Sequence, residues 1–293
     1  MRFGAVLMPT DPWPESVTAA QRLESLGYHH VWVYDHLSWR RYRDLPWHAT
    51  YPWLTGLAAS TRRLRLGTMV SNPNIRHPLV LARDAMTIDH VSNGRMILGI
   101  GAGGVGADAS VLGQQPLSPG QRIDRLGEYV QIVDESLRGE LEDHDGDWYT
   151  IRGARMLPGS RQQPRFPIAV AAAGPRGLRV VAERADMWIT YGSTKRDETE
   201  AEAAATVRRQ LSWLHQHCDA LGRNPAGIDK LYLVGNNSAR TLDSLEQFTD
   251  LVGRYAELGF TDVVFHHPRA DDEVWNHPPD IVEEIAEAFD LTR

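Results

Sequence analysis

The feature that most constrains this chain is a regular alternation of short apolar segments with helical segments along its length. Eight segments have the composition of buried strands: Arg2–Met8, His29–Tyr34, Leu64–Val70, Met96–Gly101, Ile168–Ala172, Met187–Tyr191, Leu231–Gly235 and Asp262–His266. Strands that alternate with helices form parallel sheets, and eight such units in 293 residues suit a closed barrel better than an open sheet. We therefore predict an α/β fold, a (β/α)8 TIM barrel that residues 1–293 form as one domain.

The helical segments carry start and stop signals. The helix candidates are Pro14–Leu26, Leu79–His90, Pro119–Leu137, Glu198–Leu221, Leu242–Leu258 and Pro279–Phe289. Ser118 before Pro119 is typical of a helix start, and Gly27 and Gly259 each follow a Leu at an expected helix end. Residues 139–167 interrupt the alternation, so we expect an inserted loop or hairpin there.

Composition narrows the partners. The net charge is −7 and no basic block is present, so nucleic acid is not an expected partner. There is no run of about 18 apolar residues and no signal-peptide pattern at the start, so we expect no membrane span and a cytoplasmic location. The single cysteine, Cys218, excludes an internal disulfide. With His215 and His217 it lies on a predicted surface helix at spacings that do not converge, so we expect no metal site.

In a barrel of this kind the active site lies at the C-terminal ends of the strands. Asp35 and His36 follow the second strand and are the best acid–base candidates. A histidine there can donate a proton or a hydrogen bond near neutral pH, with Asp35 either orienting it or bonding to a neighbouring loop. The alternative is a structural histidine. Only one of the two residues His266 and His267 can enter the site, because they alternate faces in a strand.

Two glycine-rich turns also follow strands. The segment Gly99–Gly106 matches a dinucleotide-binding pattern, but no long helix follows at once, so the Rossmann interpretation fails. A glycine loop lying against a planar ligand is favoured over a loop without ligand contact. The turn Ala173–Gly177 precedes an amphipathic run and offers free amides and Arg176 to a phosphate. The alternative for that turn is an ordinary βα connection.

In combination, several segments resemble the bacterial luciferase-like family of flavin- and deazaflavin-dependent oxidoreductases. The similarity is densest over residues 31–113 and returns at 167–188. The segments that carry it are Val33-Tyr-Asp-His-Leu37, Arg65-Leu-Gly-Thr-Met-Val-Ser-Asn-Pro73, Arg76-His-Pro78, Thr87-Ile-Asp-His-Val-Ser-Asn-Gly-Arg95 and Leu98-Gly-Ile-Gly-Ala-Gly103. The resemblance implies a barrel whose βα loops hold an isoalloxazine or deazaflavin ring.

The resemblance also implies residue roles. Asp35 and His36 are expected beside the ring, with His36 as proton donor or hydrogen-bond partner and Asp35 fixing its position. A non-proline cis peptide is expected at Met69-Val70, behind the ring. The expected contacts of the cofactor ring, side chain and phosphate are Met69, Val70, Ser71, Asn72, Gly101, Ala102, Gly103, Gly104, Ala173, Gly174, Pro175 and Arg176.

The cofactor is expected to be coenzyme F420 or FMN. Asn72-Pro73, Arg76-His77-Pro78 and Ala172–Pro175 look closer to the F420 branch, although Ala173 departs from its usual Ser. Gly104 stands where the sugar-phosphate dehydrogenases of that branch place a Glu, which argues against their reaction. Tyr34 replaces a small residue and narrows the pocket.

The leading hypothesis is an oxidoreductase that transfers a hydride between a reduced deazaflavin or flavin and a small organic substrate. The alternative is an FMN-dependent monooxygenase that receives reduced flavin from a separate reductase. A non-catalytic flavin-binding protein is a third hypothesis. A homodimer is expected, because related barrels pair through helices near strands two to four.

The chain has 9 Trp against 6 Phe, and several tryptophans follow the second strand. Trp39, Trp47 and Trp53 lie within or beside the loop that carries His36. We predict that Trp39, Trp47 and Tyr34 wall an apolar, planar substrate pocket over the cofactor. The alternative is simple packing at the barrel rim.

Overall fold

Eight parallel strands close into a barrel. The computed structural model describes residues 1–37, 39–104, 107–193, 199–234 and 240–292. In barrel order the strands are β1 (Arg2–Val6), β2 (His30–Val33), β3 (Arg65–Thr68), β4 (Met96–Gly101), β7 (Ile168–Ala171), β8 (Met187–Thr190), β9 (Asp229–Leu233) and β10 (Asp262–His266). The last strand pairs with the first over residues 2–6 and 262–266. The predicted (β/α)8 barrel is confirmed, although Gly235, the expected end of one strand, lies outside the described residues.

Helices surround the barrel. They are α1 (Trp13–Ser25), α2 (Thr50–Ser60), α3 (Pro78–Val91), α4 (Ala107–Val111), α5 (Pro119–Arg138), α6 (Pro175–Arg184), α7 (Glu200–Leu221), α8 (Leu245–Glu257) and α9 (Ile281–Ala288). The six helix candidates are confirmed within three residues, except that Glu198, one predicted start, lies outside the described residues. The helix candidates did not include α2, which contains Pro52 and Gly56. It forms because it buries one side, where Gly56 lies directly against the ring of Trp13 in α1.

The turn signals act as expected. The Ser118 hydroxyl accepts a hydrogen bond from the Gln121 amide at 3.3 Å, and Gln121 Oε1 accepts one from the Ser118 amide at 3.0 Å. This capping box starts α5. Gly27 and Gly259 take positive φ values of 84° and 79° just past the ends of α1 and α8.

Residues 139–167, where the sequence predicts an insertion, contain an antiparallel hairpin of β5 (His144–Asp145) and β6 (Thr150–Ile151). The Glu128 carboxylate of α5 accepts hydrogen bonds from the amides of Trp148 and Tyr149 at 3.0 and 2.9 Å. These bonds fix the hairpin to α5 on the outside of the barrel.

The barrel interior is filled by side chains. Trp32 of β2 is fully buried, and its ring lies where a side chain on Gly67 of β3 would have to be. The same interior cluster contains aliphatic and methionine side chains, which are Val6, Met69, Ile97, Met187, Ile189, Leu231, Leu233 and Val264. A larger apolar layer separates the sheet from the helices. The interior is therefore a packed core and not a pore.

A buried carboxylate joins the first, second and last strands. Asp262 of β10 has no exposed surface, and it accepts hydrogen bonds from Arg2 of β1 at 2.8 and 2.7 Å. His30 of β2 lies 3.0 Å from the same carboxylate. The Trp32 indole donates to His30 Nδ1 at 2.8 Å, so His30 carries its proton on Nε2 and donates it to Asp262. Gly4 leaves the space that this imidazole occupies.

The protonation of Asp262 is therefore coupled to folding. Burial by itself raises the pKa of a carboxyl, but the hydrogen bonds from His30 and Arg2 outweigh it and lower the pKa of Asp262 to about 2. A carboxyl with a lowered pKa stabilises the fold above its unfolded pKa, near 4, and the stabilisation is lost as the pH falls toward the folded value.

Two observations concern the predicted surface helix and membranes. The sequence places Cys218 on a surface helix, but on α7 this residue is buried, so the expected exposure was wrong, and burial raises the pKa of the thiol. A buried thiol with a raised pKa is unreactive. Among the described residues, no helix is both long enough and apolar enough to cross a membrane.

We predict that Asp262→Asn lowers the free energy of unfolding by about 3 kcal/mol at pH 7, because a buried ion pair loses one partner. Urea unfolding checks this. The difference from the wild-type protein should shrink as the pH falls from about 4 to 2, where the native carboxyl is itself protonated.

The matched control is Asp229→Asn, because Asp229 also pairs with Arg2, at 2.6 Å, but is 42% exposed. Its loss should be below about 1 kcal/mol. Equal losses for the two variants would contradict the special role of Asp262.

Candidate functional site

An aromatic cluster covers the C-terminal end of the barrel on the side of β2 and β10. Trp39 is its centre, and it stacks on Tyr34 with ring centroids 4.9 Å apart and on Tyr42 at 5.6 Å. The other rings within about 6 Å of Trp39 are His36, Trp47 and Trp275. Trp275, which comes from the loop after β10, stacks in turn on His266 at 4.0 Å. We call these seven residues the aromatic cluster.

Tyr34 and His266 are joined as a neutral pair inside this cluster. The Tyr34 hydroxyl lies 2.8 Å from His266 Nε2, and His266 Nδ1 lies 3.2 Å from the Val234 carbonyl. Burial lowers the pKa of His266 to about 3 and raises the pKa of Tyr34. A carbonyl only accepts, so the imidazole proton is on Nδ1 and Tyr34 donates to Nε2. Of the two adjacent histidines, His266 therefore lies in the cluster, as the alternation of faces predicts.

His36 is held by an acid that the sequence did not single out. Its Nδ1 lies 2.6 Å from the carboxylate of Asp108, whose other oxygen accepts the Leu37 amide at 2.8 Å. Asp108 belongs to α4, just past the glycine-rich segment. The interpretation that Asp35 fixes His36 is thus corrected. The side chain of His36 is 22% exposed, so it is partly accessible to solvent.

Asp35 faces the other way and is buried. Its carboxylate accepts hydrogen bonds from the Ser71 hydroxyl at 2.6 Å and from Arg76. Tyr51 lies 2.8 Å from the same hydroxyl, and the Arg76 guanidinium lies over its ring at 4.5 Å. Asp35 therefore ties the end of β2 to the segment after β3. Of the two roles that the sequence allows for Asp35, the structure therefore shows the bond to a neighbouring loop.

The end of β3 has the expected cis peptide between Met69 and Val70. After this peptide the chain pairs with β4: the Ser71 amide donates to the Gly99 carbonyl at 2.9 Å, and the Ser71 carbonyl accepts from the Gly101 amide at 2.9 Å. A Cβ on Gly99 would overlap the Thr68 carbonyl, and one on Gly101 would lie 2.6 Å from Val70 Cγ2. These two glycines are thus explained by the close approach of β3 and β4.

The glycine-rich segment divides into packed and open parts. Gly103 has a φ of 74°, and a Cβ there would crowd the side-chain amide of Asn74 and Asn72 Oδ1. The side chain of Asn72 accepts a hydrogen bond from the backbone amide of Asn74 at 3.0 Å, so it shapes this loop. Gly104 is exposed and has open space around it. Ala102 is half-buried beside them, and Val105 and Gly106 lie outside the described residues.

The predicted phosphate turn opens α6. Gly174 is the N-cap residue and has no side chain, so the first backbone amides of the helix have no side-chain cap. Ala173, Gly174, Pro175 and Arg176 are all exposed. Arg176 pairs with Asp124 of α5, and both side chains are more than half exposed. An exposed pair of this kind contributes little and can exchange partners.

The tryptophans after β2 separate into two groups. Trp39 and Trp47 join the aromatic cluster, where the Trp47 indole nitrogen is buried without a hydrogen-bond partner in the described structure. Trp53 instead lies on α2, stacked on His48 at 4.4 Å and edge-on to Trp13. It packs α1 against α2 and is not a pocket residue.

Sequence reasoning missed three site residues, Asp108, Tyr42 and Trp275. Asp108 is the first acidic residue after the glycine-rich segment that follows β4. This position at a strand end was the signal that could have identified it as a site residue. Tyr42 lies among the aromatic residues after β2, which were noticed only for their tryptophans. Trp275 is 236 residues from Trp39, and no local pattern connects the two.

Comparisons with known proteins identify the family of this chain. The profile described as luciferase-like monooxygenase matches residues 1–213. The F420-dependent glucose-6-phosphate dehydrogenase of Beutenbergia cavernae is 28% identical over 290 residues, covering 85% of this chain and 85% of that protein. The 4-hydroxyprotoasukamycin monooxygenase of Streptomyces nodosus subsp. asukaensis is 28% identical over 260 residues, covering 85% of this chain and 66% of that protein.

A solved structure shares the whole fold. It is an F420-dependent secondary alcohol dehydrogenase in complex with an F420-acetone adduct, and it superposes with a TM-score of 0.82. The match covers 100% of this chain and 99% of the other at 16% identity, so it supports the barrel alone. Since the family profile spans most of the chain, the predicted resemblance is confirmed: this chain belongs to the luciferase-like monooxygenase family.

Proposed function

We propose that this protein is an F420-dependent oxidoreductase that transfers a hydride between the deazaflavin and a small, flat, uncharged organic substrate. The observation that carries the proposal is His36, held by Asp108 at the edge of an aromatic cluster, at the end of the barrel where this fold binds ligands. Relatives whose names include F420 support the choice of cofactor.

The residues present fit a deazaflavin with a phosphate-bearing side chain. The uncapped start of α6 at Gly174 offers backbone amides and the positive end of a helix of 10 residues to a phosphate. Arg176 can move from Asp124 to that phosphate at small cost, because their pair is exposed. Ala102 and the open Gly104 are the proposed neighbours of the ring, and Met69–Asn72 are the residues behind it. When bound, the cofactor supplies the hydride.

His36 is the proposed proton-holding group. The Asp108 carboxylate only accepts hydrogen bonds, so the His36 proton lies on Nδ1 and Nε2 is the nitrogen left for the substrate. Asp108 therefore orients the ring and determines which nitrogen is available to hold or accept a proton of the substrate.

The aromatic cluster favours an uncharged substrate. Tyr34 and His266 are both neutral and satisfy each other, so this pair presents ring faces and no charge. Trp39 and Trp47 extend the wall with two indole rings, and the Arg40 guanidinium lies over the Trp39 ring at 5.0 Å. Closely packed rings exclude water and prefer flat apolar groups.

A second candidate is an FMN-dependent monooxygenase supplied with reduced flavin by a separate reductase. The name of the matching family and the monooxygenase relative from Streptomyces favour it. The barrel and the aromatic cluster suit both reactions, so the cofactor separates them.

The first test is the titration of the purified protein with F420 and with FMN, followed by fluorescence. We expect F420 to bind at least about ten times more tightly than FMN, a difference of about 1.4 kcal/mol. Tighter binding of FMN would favour the monooxygenase, and binding of neither cofactor would overturn both candidate functions. Binding of flavin without turnover of any substrate would favour a storage role.

The second test concerns His36. We expect His36→Gln to lower kcat about 100-fold, because general acid–base catalysis supplies factors of this size. Asp108→Asn should lower kcat about ten-fold, since the amide keeps a hydrogen-bond acceptor but loses the charge. F420 should bind both variants within about three-fold of the wild-type protein.

The matched control is Asp44→Asn, which removes an exposed carboxylate from the loop after β2. It should leave kcat unchanged. If His36→Gln turns over substrate at the wild-type rate, the proposed role of His36 is wrong.

The third test concerns the aromatic cluster as a wall of the substrate pocket. Trp39→Ala should raise KM about ten-fold with a smaller effect on kcat, because a stacked aromatic contact is worth roughly 1 kcal/mol beyond its buried area. Trp53→Phe, in the other tryptophan group, should leave KM unchanged. An unchanged KM in Trp39→Ala would favour simple packing at the rim.

A further inference from the structure

The loop after β10, residues 267–280, lies over the aromatic cluster without forming a helix or strand. Its shape therefore depends on side-chain contacts. The main contacts converge on Asp272, a buried carboxylate whose side chain is 4% exposed. We call Arg41, Tyr42 and Asp272 the latch, because they join this loop to the loop after β2.

Asp272 is saturated with donors from two distant parts of the chain. Arg41 and the Tyr42 hydroxyl both donate to its carboxylate. The amides of Val274 and Trp275 donate to it at 2.8 and 3.0 Å. Burial alone would raise the pKa of Asp272, but these donors lower it well below its usual range, so the carboxylate is charged at neutral pH.

The latch fixes the position of one aromatic ring. The Trp275 amide is bound directly by Asp272, and the Arg41 guanidinium lies over both the Trp275 and the Tyr42 rings at 4.8 Å. Trp275 is 3% exposed and lies nearly parallel to His266 and Trp39. Its indole nitrogen is buried without a hydrogen-bond partner in the part of the chain that the structure describes. The ring is therefore held by packing, by the latch and by the Arg269 amide, which donates to the Trp275 carbonyl at 2.8 Å.

On the other side of the latch lies a cleft. It has a volume of about 530 Å³ and lies between the end of β1, the start of α1 and the loop after β10. Of the aromatic cluster, only Tyr42 lines it, together with Asp272. The latch is therefore the partition between this cleft and the rings around His36.

We propose that Asp272 is a positioning residue that sets the upper size limit of the substrate, by holding Trp275 and Tyr42 as a closed wall between the aromatic cluster and the cleft. This inference rests on the proposed function for its meaning in catalysis. With the wall closed, the site accepts a single flat ring system. Without the charge of the Asp272 carboxylate, Arg41 is no longer held over the Trp275 and Tyr42 rings, and the site extends into the cleft and accepts larger molecules.

The test uses two neutral probes, phenol and naphthalen-2-ol, whose Kd values are measured by calorimetry on the full chain with and without F420. Asp272→Asn should lower the ratio of the naphthalen-2-ol Kd to the phenol Kd about ten-fold relative to the wild-type protein. Tyr42→Phe, which removes only one hydrogen bond to Asp272, should lower it about three-fold. A purely structural role would weaken both probes equally and leave the ratio unchanged.

The matched control is Glu273→Gln, which removes a carboxylate charge from an exposed residue next to Asp272 that does not line the cleft. The inference is overturned if the ratio is unchanged in Asp272→Asn, or if Glu273→Gln changes it as much. Should Asp272→Asn fail to fold, an unchanged ratio in Tyr42→Phe overturns it. Failure of F420 to bind the wild-type protein would overturn the proposed function, whereas the probe ratio without cofactor would still decide the role of Asp272.

Discussion

The barrel closes around one buried carboxylate. Asp262 lies on the last strand and is bound by Arg2 of the first strand and His30 of the second, so a single side chain joins segments about 230 to 260 residues apart. A buried charge is costly unless every oxygen is paired, and here Thr261 completes the set at 2.6 Å. The cluster lies at the N-terminal ends of the strands. Stability is therefore concentrated at that end, and the loops at the other end are free to carry the site.

Buried carboxylates do the same work at the C-terminal end, but each joins loops and not strands. Asp35 binds Ser71 and Arg76 and fixes the segment after β3, while Asp272 joins the loops after β2 and β10. Asp108 differs, because its partner His36 remains partly exposed. This difference separates two carboxylates that hold loops in place from the one that we propose supports chemistry.

Much of the fold was predictable because strand and helix patterns are local. The eight strands, the Ser118 cap and the glycines after α1 and α8 follow from hydrophobic pattern and turn chemistry, which neighbouring residues fix. The helix α2 was not predictable in this way, since Pro52 and Gly56 weaken its local preference. It forms because packing against Trp13 overrides that preference. The burial of Cys218 on α7 was missed for a similar reason: its position faces the core only once the helix is docked.

The sequence by itself determined which residues reach the site end of the barrel: Asp35 and His36 after β2, the cis-linked Met69-Val70 after β3, and the glycine-rich segment after β4. Only the tertiary structure decided their partners. Successive residues of an extended segment point to opposite sides, so Asp35 meets the segment after β3 whereas His36 meets Asp108 beyond β4. The ring stacked between Tyr42, Trp39 and His266 comes from position 275, because barrel closure brings the last loop next to the second. That neighbourhood exists only after β10 pairs with β1, and no local pattern in the sequence records it.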